Sequence, residues 1–497
     1  MYMLTRKFLC IDVGTTSVKT GIVDEAGSLS AVSTCEYSLE TPSEGIVEID
    51  PEIYWENVVR GVRESLYKSP DQRAAVSSIG ISSQGETFIC LDRYGKPLRK
   101  AIVWMDSRAS KEADAIKYRF GNRLCQSITG QPEMTASWPI SKMLWLKENQ
   151  PDVFKSVYKF VLVEDYLIYR LTGKFVGEYS LYTSSCMLDI RKKRWWQDAL
   201  DFVGVRPDQL VELSESGRIV GNITSSAASE LGLSNSVVVV TGAMDQTAGM
   251  LGAGNVSPGI VTETTGAALA ICSTLEKFPD DPGQMAIQYH AVADKFLALC
   301  WCPTGGMALK WLRDKFFDGN SYDDITALAE SVEPGSQGLF FFPFLAGSGT
   351  PLVETQVKGA FVGLELHHGK AHFYRAVLES IGFVLKQNLD AMEQIGISCC
   401  EIRSLGGGSK SAFWNKIKAD ITGKRILKMH TSETALVGVA LLQAAALEPT
   451  RKLENWVKGM VSVDSVIEPA VSETTIYKPF CNRYNSFANG LISISRS

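Results

Sequence analysis

Short apolar runs alternate along the chain with clusters of Gly, Ser, Thr and Asp, and with stretches in which apolar residues recur every three or four positions. The first pattern is typical of strands that end in turns, and the second of amphipathic helices. Strands are predicted in the hairpin of residues 8–27 and at 30–40, 45–49, 76–82, 88–92, 237–241, 260–271 and 339–345, and helices from Asp50-Pro51 onward, at 369–394 and at 412–422. Strands that alternate with helices indicate an α/β sheet.

Two hairpins of similar pattern, at residues 8–27 and 260–271, each place small hydroxyl residues between two apolar strands. A glycine-rich passage at 249–259 precedes the second hairpin and is interpreted as a hinge. At 497 residues the chain is too long for one hydrophobic core, so about two or three domains are expected. We therefore predict an internal duplication, with an N-terminal domain at 1–253 and a C-terminal domain at 254–497.

Composition and charge exclude several classes of function. A formal net charge of −5 argues against a nucleic-acid partner, because such proteins usually carry a basic stripe. No apolar run approaches the about 20 residues of a spanning helix, and no signal peptide is recognisable, so we expect no membrane partner and a cytoplasmic location. The eleven Cys are scattered and the five His form no H-E-x-x-H pattern, which disfavours a disulfide framework and an imidazole-held catalytic metal.

Three turns rich in glycine and hydroxyl residues, near Gly14, Gly266 and Gly407, each follow an apolar strand. Such turns bring backbone N–H groups and hydroxyls close to an anion, and so they suit phosphate oxygens. None matches the P-loop or the dinucleotide-binding pattern. Ordinary turn chemistry is the alternative, because tight turns use the same residues.

A carboxylate, Asp245, follows the buried strand at 237–241. It could be the N-cap of a helix, or it could be a base that orients an attacking hydroxyl and accepts its proton, as an Asp does in phosphoryl transfer. Glu86 follows another apolar strand, and it is interpreted either as a clamp for substrate hydroxyls or as a surface residue.

The chain resembles the FGGY family of carbohydrate kinases over essentially its whole length. Residues 12–17, DVGTTS, resemble the family's first phosphate hairpin. Residues 137–146, SWPISKMLWL, and residues 359–364, GAFVGL, continued by HFYRAVLE at 372–379, resemble the two long family signatures, and AMDQ lies between them at 243–246. Two long signatures in the correct order are far more selective than any glycine turn.

This resemblance implies an α/β fold with two actin-like, ribonuclease-H-like ATPase domains around a central cleft, the N-terminal one binding sugar and the C-terminal one binding nucleotide. It implies ATP and Mg²⁺ as cofactors, and a homodimer. Asp245 would be the catalytic base and Asp12 would lie near the hydrated magnesium ion. The residues implied for substrate binding are Glu86, Gly85, Gln246, Ser137 and Thr15. The residues implied for nucleotide binding are Thr15, Thr16, Ser17, Lys19, Thr265, Gly266, Gly306, Lys310, Gly407, Gly408 and Ser411.

Two positions suggest the substrate. Gly85 stands where glycerol kinases of the family carry an Arg, and Ser137 stands where they carry a Tyr, so the pocket is expected to be larger than one for glycerol. The C-terminal half is more similar to xylulose kinases, although Gly85-Glu86 replaces the Met-His pair that those enzymes place on the sugar. We therefore expect a small sugar or polyol, a pentulose such as xylulose in particular.

Three other hypotheses remain open at this point. One is a polyol kinase of the glycerol kinase type. Another is an actin-like chaperone ATPase, although such proteins lack the two long signatures. The third is a catalytically silent regulator, which the presence of Asp12, Asp245 and the glycine turns argues against.

Overall fold

The structure is a computed structural model that describes residues 6–317 and 319–496. Its internal contacts divide the chain into two compact units, each assembled from separate segments. Unit 1 comprises Met1–Gly254, Ile287–Phe296 and Glu433–Val461, and unit 2 comprises Asn255–Ala286, Leu297–Ser432 and Ser462–Ser497.

Strands and helices alternate through both units. The strands are β1 Lys7–Val13, β2 Ser17–Asp24, β3 Leu29–Glu36, β4 Glu48–Ile49, β5 Val76–Ser83, β6 Phe88–Leu91, β7 Ala101–Ile102, β8 Lys159–Leu162, β9 Val176–Glu178, β10 Leu188–Asp189, β11 Arg194–Trp195, β12 Glu212–Ser214, β13 Ile219–Asn222, β14 Val238–Met244, β15 Gly259–Thr265, β16 Leu269–Leu275, β17 Ala286–Tyr289, β18 Phe296–Cys302, β19 Phe340–Phe342, β20 Ala360–Val362, β21 Cys399–Leu405, β22 Arg425–Met429 and β23 Val463–Ile467. The α-helices are α1 Pro51–Lys68, α2 Ser110–Phe120, α3 Asn122–Thr129, α4 Pro139–Asn149, α5 Pro151–Ser156, α6 Val163–Thr172, α7 Tyr179–Tyr182, α8 Gln197–Val203, α9 Ser225–Leu231, α10 Asp245–Gly252, α11 Gly306–Phe316, α12 Tyr322–Glu330, α13 Lys370–Gln394, α14 Ala412–Thr422, α15 Thr434–Leu447, α16 Leu453–Met460 and α17 Val471–Ser495.

The main sheet of unit 1 has the order β13-β14-β5-β1-β2-β3 among the described residues. β1 and β2 form the predicted antiparallel hairpin, while β5 lies parallel to both β1 and β14. β13 closes the far edge in the antiparallel direction. Because β1, β5 and β14 are parallel, their carboxyl ends lie at the same edge of the sheet.

Helices cover both faces of this sheet. On one face, the Thr20 hydroxyl lies 2.7 Å from the Ser65 hydroxyl of α1. On the other, a Cβ at Gly21 would lie 3.3 Å from the Leu436 side chain of α15. Neighbouring strand residues face opposite sides of a sheet, so α1 and α15 enclose it as a three-layer structure. α1 begins as predicted, because the Asp50 carboxylate accepts the N–H of Glu52 at 3.0 Å.

Six of the seven strands of the second large sheet repeat this plan within unit 2, in the order β18-β16-β15-β21-β22-β23. Its hairpin strands β15 and β16 are antiparallel, β15, β21 and β22 are parallel, and β23 is antiparallel to β22. The predicted internal duplication is therefore confirmed at the level of strand order and direction.

The prediction of domains at 1–253 and 254–497 assumes a single boundary. In the structure each compact unit instead combines three separate segments of the chain. Residues Glu433–Val461 belong with unit 1 because α15 packs against α10 and the sheet there. The passage at 249–259 is interpreted as a hinge from the sequence, but its first four residues are the last four residues of the helix α10. α10 and α15 lie so close together that a Cβ at Gly252 would lie 1.8 Å from the Thr434 carbonyl oxygen.

A buried ion pair joins three elements of unit 2. The Lys418 ammonium of α14 lies 2.7 Å from the Glu263 carboxylate of β15 and donates to the Thr265 hydroxyl at 3.1 Å. The same carboxylate accepts from the hydroxyls of Thr265 and of Ser404 on β21. Both charged side chains are completely buried, so each depends on the other for compensation. This network fixes the end of β15, where the second glycine turn begins.

Over residues 6–317 and 319–496, no helix combines the length and the apolar character needed to cross a membrane.

Gly252→Ala is expected to lower the free energy of unfolding by about 3 kcal/mol, because the new methyl group overpacks the contact between α10 and α15. Thermal and urea unfolding measure the change. Gly249→Ala is the matched control in the same helix, since its nearest neighbour would be the Thr434 hydroxyl at 3.7 Å. The control should leave stability unchanged or raise it by up to about 1 kcal/mol. Equal effects of the two substitutions would contradict the close packing.

Lys418→Met is expected to destabilise the protein by about 3–5 kcal/mol, because it leaves the Glu263 carboxylate buried without its cation. The double variant Lys418→Met with Glu263→Gln should recover part of this loss, since no unpaired charge remains. Comparison of the unfolding midpoints tests this order. A double variant that is less stable than the single one would contradict it.

Candidate active site

The tip of the first hairpin is held by backbone bonds that leave its hydroxyl residues available. The Gly14 N–H donates to the Ser17 carbonyl at 2.9 Å, and the Tyr37 N–H donates to the Thr16 carbonyl at 2.9 Å. The Tyr37 hydroxyl and the Gln84 amide, at 3.2 Å, both donate to the Gly14 carbonyl. Thr16 is exposed at the turn. The turn is thus a fixed structure whose outer side can meet an anion.

Asp12 and Lys19 face each other across β1 and β2. One carboxylate oxygen of Asp12, Oδ1, is buried and has no hydrogen-bond partner. Burial raises the pKa of Asp12 to about 6, although Lys19 and the Ser82 hydroxyl act in the opposite direction. The Lys19 ammonium lies 2.6 Å from the Glu433 carboxylate, so it has a second acidic neighbour.

Asp245 is the first residue of α10, directly after β14. It is not the N-cap that one interpretation of the sequence suggested, because Met244 occupies that position. Its carboxylate accepts the N–H of Gln246 at 2.6 Å. Burial raises the pKa of Asp245 to about 7, and the negative charges of Asp12 and Glu86 add to the increase. The structure therefore places Asp12 and Glu86 close enough to Asp245 to raise its pKa.

Glu86 lies in a strained turn between β5 and β6. Its φ is +58°, and the Thr87 N–H bonds to the Gly85 carbonyl at 2.7 Å around it. Such a conformation is costly for a residue with a side chain and is typical of binding sites. Burial raises the pKa of Glu86, while the Ser184 hydroxyl and the Lys142 ammonium lower it. The carboxylate of Glu86 therefore lies between a hydroxyl donor and a buried cation.

The larger pocket expected from Gly85 and Ser137 stays a prediction, but the space at the Cβ position of Gly85 is already occupied. A Cβ there would lie 2.8 Å from the Ser184 hydroxyl oxygen and 3.2 Å from the Met244 sulfur. The volume that a side chain would occupy is therefore already filled by these two residues. Ser137, the other position behind this expectation, is partly exposed just before α4.

Unit 2 brings its predicted nucleotide residues into two contacts. The Gly306 N–H, at the start of α11, donates to the Gly266 carbonyl at 2.8 Å. A Cβ at Gly408 would lie 2.6 Å from the Cβ of Thr265, whereas a Cβ at Gly407 would meet nothing within 4 Å. The second and third glycine turns are therefore adjacent, and glycine is needed where they touch.

Two other predicted nucleotide residues have structural partners. Lys310 forms an ion pair with Asp314 one turn later on α11. The Ser411 hydroxyl accepts the Trp414 N–H at 3.2 Å and so caps α14. Neither contact tests a role in nucleotide binding.

Sequence reasoning missed several residues of the unit 1 site. The Trp104 indole N–H donates to the Thr15 hydroxyl at 3.0 Å. The fully buried Lys142 ammonium donates to the carbonyls of Glu86 at 3.3 Å and of Val103 at 2.9 Å. Lys142 lies inside the first long signature, where a lysine among apolar residues was a usable signal. Trp104 carried no such signal, because its partner is 89 positions away.

The donor set at Asp12 fits a magnesium ion. Mg²⁺ prefers hard oxygen ligands, and it is usually held by one or two carboxylates together with water and substrate phosphates. The unpartnered Oδ1 of Asp12 beside the hairpin tip is such a ligand. Over the described part of the chain, no group of three or more His, Cys, Asp or Glu side chains could hold a metal by itself.

Comparison with known proteins gives matches in sequence and in structure. The N-terminal domain of the FGGY family of carbohydrate kinases matches residues 7–252, and the C-terminal domain of that family matches residues 277–447. A xylulose kinase from Staphylococcus epidermidis is 32% identical over 487 residues, which are 97% of this chain and 97% of that protein.

Two solved structures from Lactobacillus acidophilus are similar over almost their whole length. One is a gluconate kinase, with a TM-score of 0.92 at 25% identity and coverage of 98% of this chain and 99% of that one. The other is a ligand-bound xylulose kinase, with a TM-score of 0.91 at 26% identity and coverage of 98% of both chains. These likenesses confirm the predicted α/β fold of two actin-like ATPase domains. Because the family matches include most of both halves, this chain belongs to the FGGY family of carbohydrate kinases.

Proposed function

We propose that this carbohydrate kinase transfers the γ-phosphoryl group of ATP to a hydroxyl of a pentulose such as xylulose. The observation that carries the proposal is the match to a xylulose kinase over 97% of both chains. The site in unit 1 supports it, because a carboxylate with a raised pKa follows the parallel strand β14.

Asp245 is assigned as the catalytic base. An Asp in phosphoryl transfer orients the attacking hydroxyl and accepts its proton, and a base is most effective when its pKa lies near the working pH. The raised pKa of Asp245, about 7, meets this condition. Gln246, next to it and partly exposed, is assigned to substrate hydroxyls together with Glu86.

The hairpin tip of unit 1 is assigned to the terminal phosphates of ATP. Its hydroxyl residues Thr15, Thr16 and Ser17 provide donors, and Lys19 provides a positive charge. Asp12 would hold Mg²⁺, which would neutralise charge on the phosphates when bound. In unit 2, Thr265 and Gly266 are assigned to phosphate, Gly306 and Lys310 to positions beside the nucleotide, and Gly407, Gly408 and Ser411 to adenosine.

The electrostatics of the unit 1 site favour an uncharged acceptor. Asp12 and Glu86 both raise the cost of ionising Asp245, so an additional carboxylate nearby would be repelled. A ketose or polyol adds no charge, whereas a sugar acid such as gluconate does. This argument favours a pentulose over gluconate. A polyol kinase of the glycerol kinase type is the second candidate, because the filled position at Gly85 removes one reason to expect a larger pocket.

A cytoplasmic location and a homodimer also stay predictions. Gel filtration coupled to light scattering measures the oligomeric state directly.

Asp245→Asn is expected to lower turnover by about 100- to 10,000-fold, because the amide cannot accept the proton of the attacking hydroxyl. Binding of ATP should persist, since the amide keeps the size of the side chain. Steady-state kinetics and calorimetric ATP titration measure the two effects. Turnover close to that of the unaltered enzyme would refute the assignment of the base.

The pH dependence gives a second readout of the same assignment. The base acts as the carboxylate, so kcat/KM should rise with pH and level off above the pKa of about 7. Below that value the protonated form accumulates and activity falls tenfold for each pH unit. Circular dichroism at each pH serves as the control for unfolding. A flat profile across this range would contradict a base with a raised pKa.

A panel of acceptors tests the substrate class. With coupled detection of ADP release, we expect kcat/KM for a ketopentose to exceed the values for gluconate and glycerol by at least about tenfold. Faster reaction with gluconate would overturn the charge argument, and faster reaction with glycerol would favour the polyol kinase. Stimulation of ATP hydrolysis by unfolded peptide and by no sugar would favour the chaperone hypothesis.

A further inference from the structure

The strand that carries Asp245 is irregular just before it. The pairing of β14 with β5 changes register between Val240 and Ala243. At this irregularity a Cβ on Gly242 would lie 1.5 Å from the Ile81 carbonyl oxygen, so only glycine fits. The regular hydrogen bonds between β14 and β5 are therefore interrupted near Gly242, and they alone do not fix the backbone at the end of β14.

Two buried carboxylates supply bonds to this part of β14. The Glu164 carboxylate of α6 accepts the Gly242 N–H at 2.8 Å. The Ser180 hydroxyl of α7 accepts the Met244 N–H at 3.1 Å and donates to the Glu178 carboxylate at 2.9 Å. These bonds fix the amides of Gly242 and Met244, which precede Asp245 by three residues and by one residue. We call Glu164, Glu178 and Ser180 the carboxylate brace.

Glu178 is itself firmly fixed. Its carboxylate accepts the Ser180 N–H at 2.7 Å and the Ser216 hydroxyl at 2.8 Å, and it also accepts the Leu181 N–H. The Ser180 hydroxyl is thus the link between a rigid anchor and the residue directly before Asp245. Removal of that hydroxyl would release Met244 without removing the anchor.

Burial of the carboxylates in and beside the brace lowers the stability of the folded protein. Glu164 and Glu178, with Asp165 beside them, are completely buried, and among the described residues none of the three forms an ion pair. Burial raises the pKa of each group. One oxygen of Glu164 and one of Asp165 have no hydrogen-bond partner. Apolar side chains of similar volume would usually cost less in such a position.

We propose that the carboxylate brace positions the Asp245 carboxylate for catalysis. Its residues do not touch the reacting atoms, and they act through the backbone of Gly242 and Met244. A misplacement of about 1 Å can cost about 100-fold in rate, so the loss of one such bond should be visible in turnover. This proposal rests on the proposed role of Asp245 as the base.

A matched pair of serine variants tests it. Ser180 and Ser185 are both buried, and each hydroxyl accepts one backbone N–H at 3.1 Å and donates one bond. Only Ser180 is bonded to β14, because Ser185 accepts from Met187 and donates to the Tyr182 carbonyl. We expect Ser180→Ala to lower kcat by about 10- to 100-fold with KM for ATP unchanged, and Ser185→Ala to leave kcat within about twofold. Equal losses in the two variants would overturn the proposal.

Glu164 provides a second comparison in case Ser180→Ala folds poorly. Glu164→Gln keeps an oxygen that can accept the Gly242 N–H, whereas Glu164→Leu removes it. The Gln variant should retain most of the turnover, and the Leu variant should lose about 10- to 100-fold. If the Gln and Leu variants lose turnover equally, Glu164 does not act through this bond.

A double variant separates positioning from other effects on rate. If Ser180 acts through Asp245, then Ser180→Ala should not lower the residual rate of Asp245→Asn any further, because no base remains to be positioned. A second multiplicative loss in the double variant would show an independent effect and would overturn the proposal. Failure of the base assignment is distinguishable, because Asp245→Asn alone would then retain turnover.

Discussion

The parallel pairing of β1, β5 and β14 is the constraint on which the unit 1 site depends. Asp12 on β1 and Ala243 on β14 both pair with Ser82 of β5, so the three strands end at the same level. Glu86 follows β5 by three residues, and Asp245 is the first residue after β14. Residues that are far apart in the chain thus become electrostatic neighbours because their strands run in the same direction.

This proximity sets the chemistry of the carboxylates. Burial raises the pKa of each one, and the charges of Asp12 and Glu86 raise the pKa of Asp245 further, to about 7, where a carboxyl group exchanges a proton near neutral pH. A group with an ordinary aspartate pKa would be a much weaker base. In the proposed function, the same crowding of negative charge would suit a hard cation at Asp12 and would disfavour an acidic substrate.

Local patterns in the sequence predicted local structure well. The hairpin at 8–27, the Asp50 cap and the helix at 412–422 each follow from residues close together in the chain, and the structure confirms all three. What the sequence could not show depends on contacts between distant residues. α15 belongs to unit 1 because it packs on a helix almost 200 positions earlier, and the space beside Gly85 is filled by Ser184 and Met244. Glu164 and Ser180 are ordinary residues in the sequence, and only the fold brings the carboxylate of one and the hydroxyl of the other to the end of β14.

The two units share a strand plan but differ in the charge at the corresponding edge, and this difference is consistent with the proposed assignment of the base to unit 1. In unit 2 the Glu263 carboxylate is neutralised by Lys418 at 2.7 Å and is saturated by the hydroxyls of Thr265 and Ser404. The Glu263 carboxylate thus holds contacts together in unit 2 through its bonds to Lys418, Thr265 and Ser404, which is a structural task. In unit 1 the Lys19 and Lys142 ammonium groups act to lower the pKa values of Asp12 and Glu86, whereas no cation among the described residues does so for Asp245, and burial raises its pKa to about 7. If the proposed assignment of Asp245 holds, one duplicated architecture provides a rigid turn in unit 2 and a proton acceptor in unit 1.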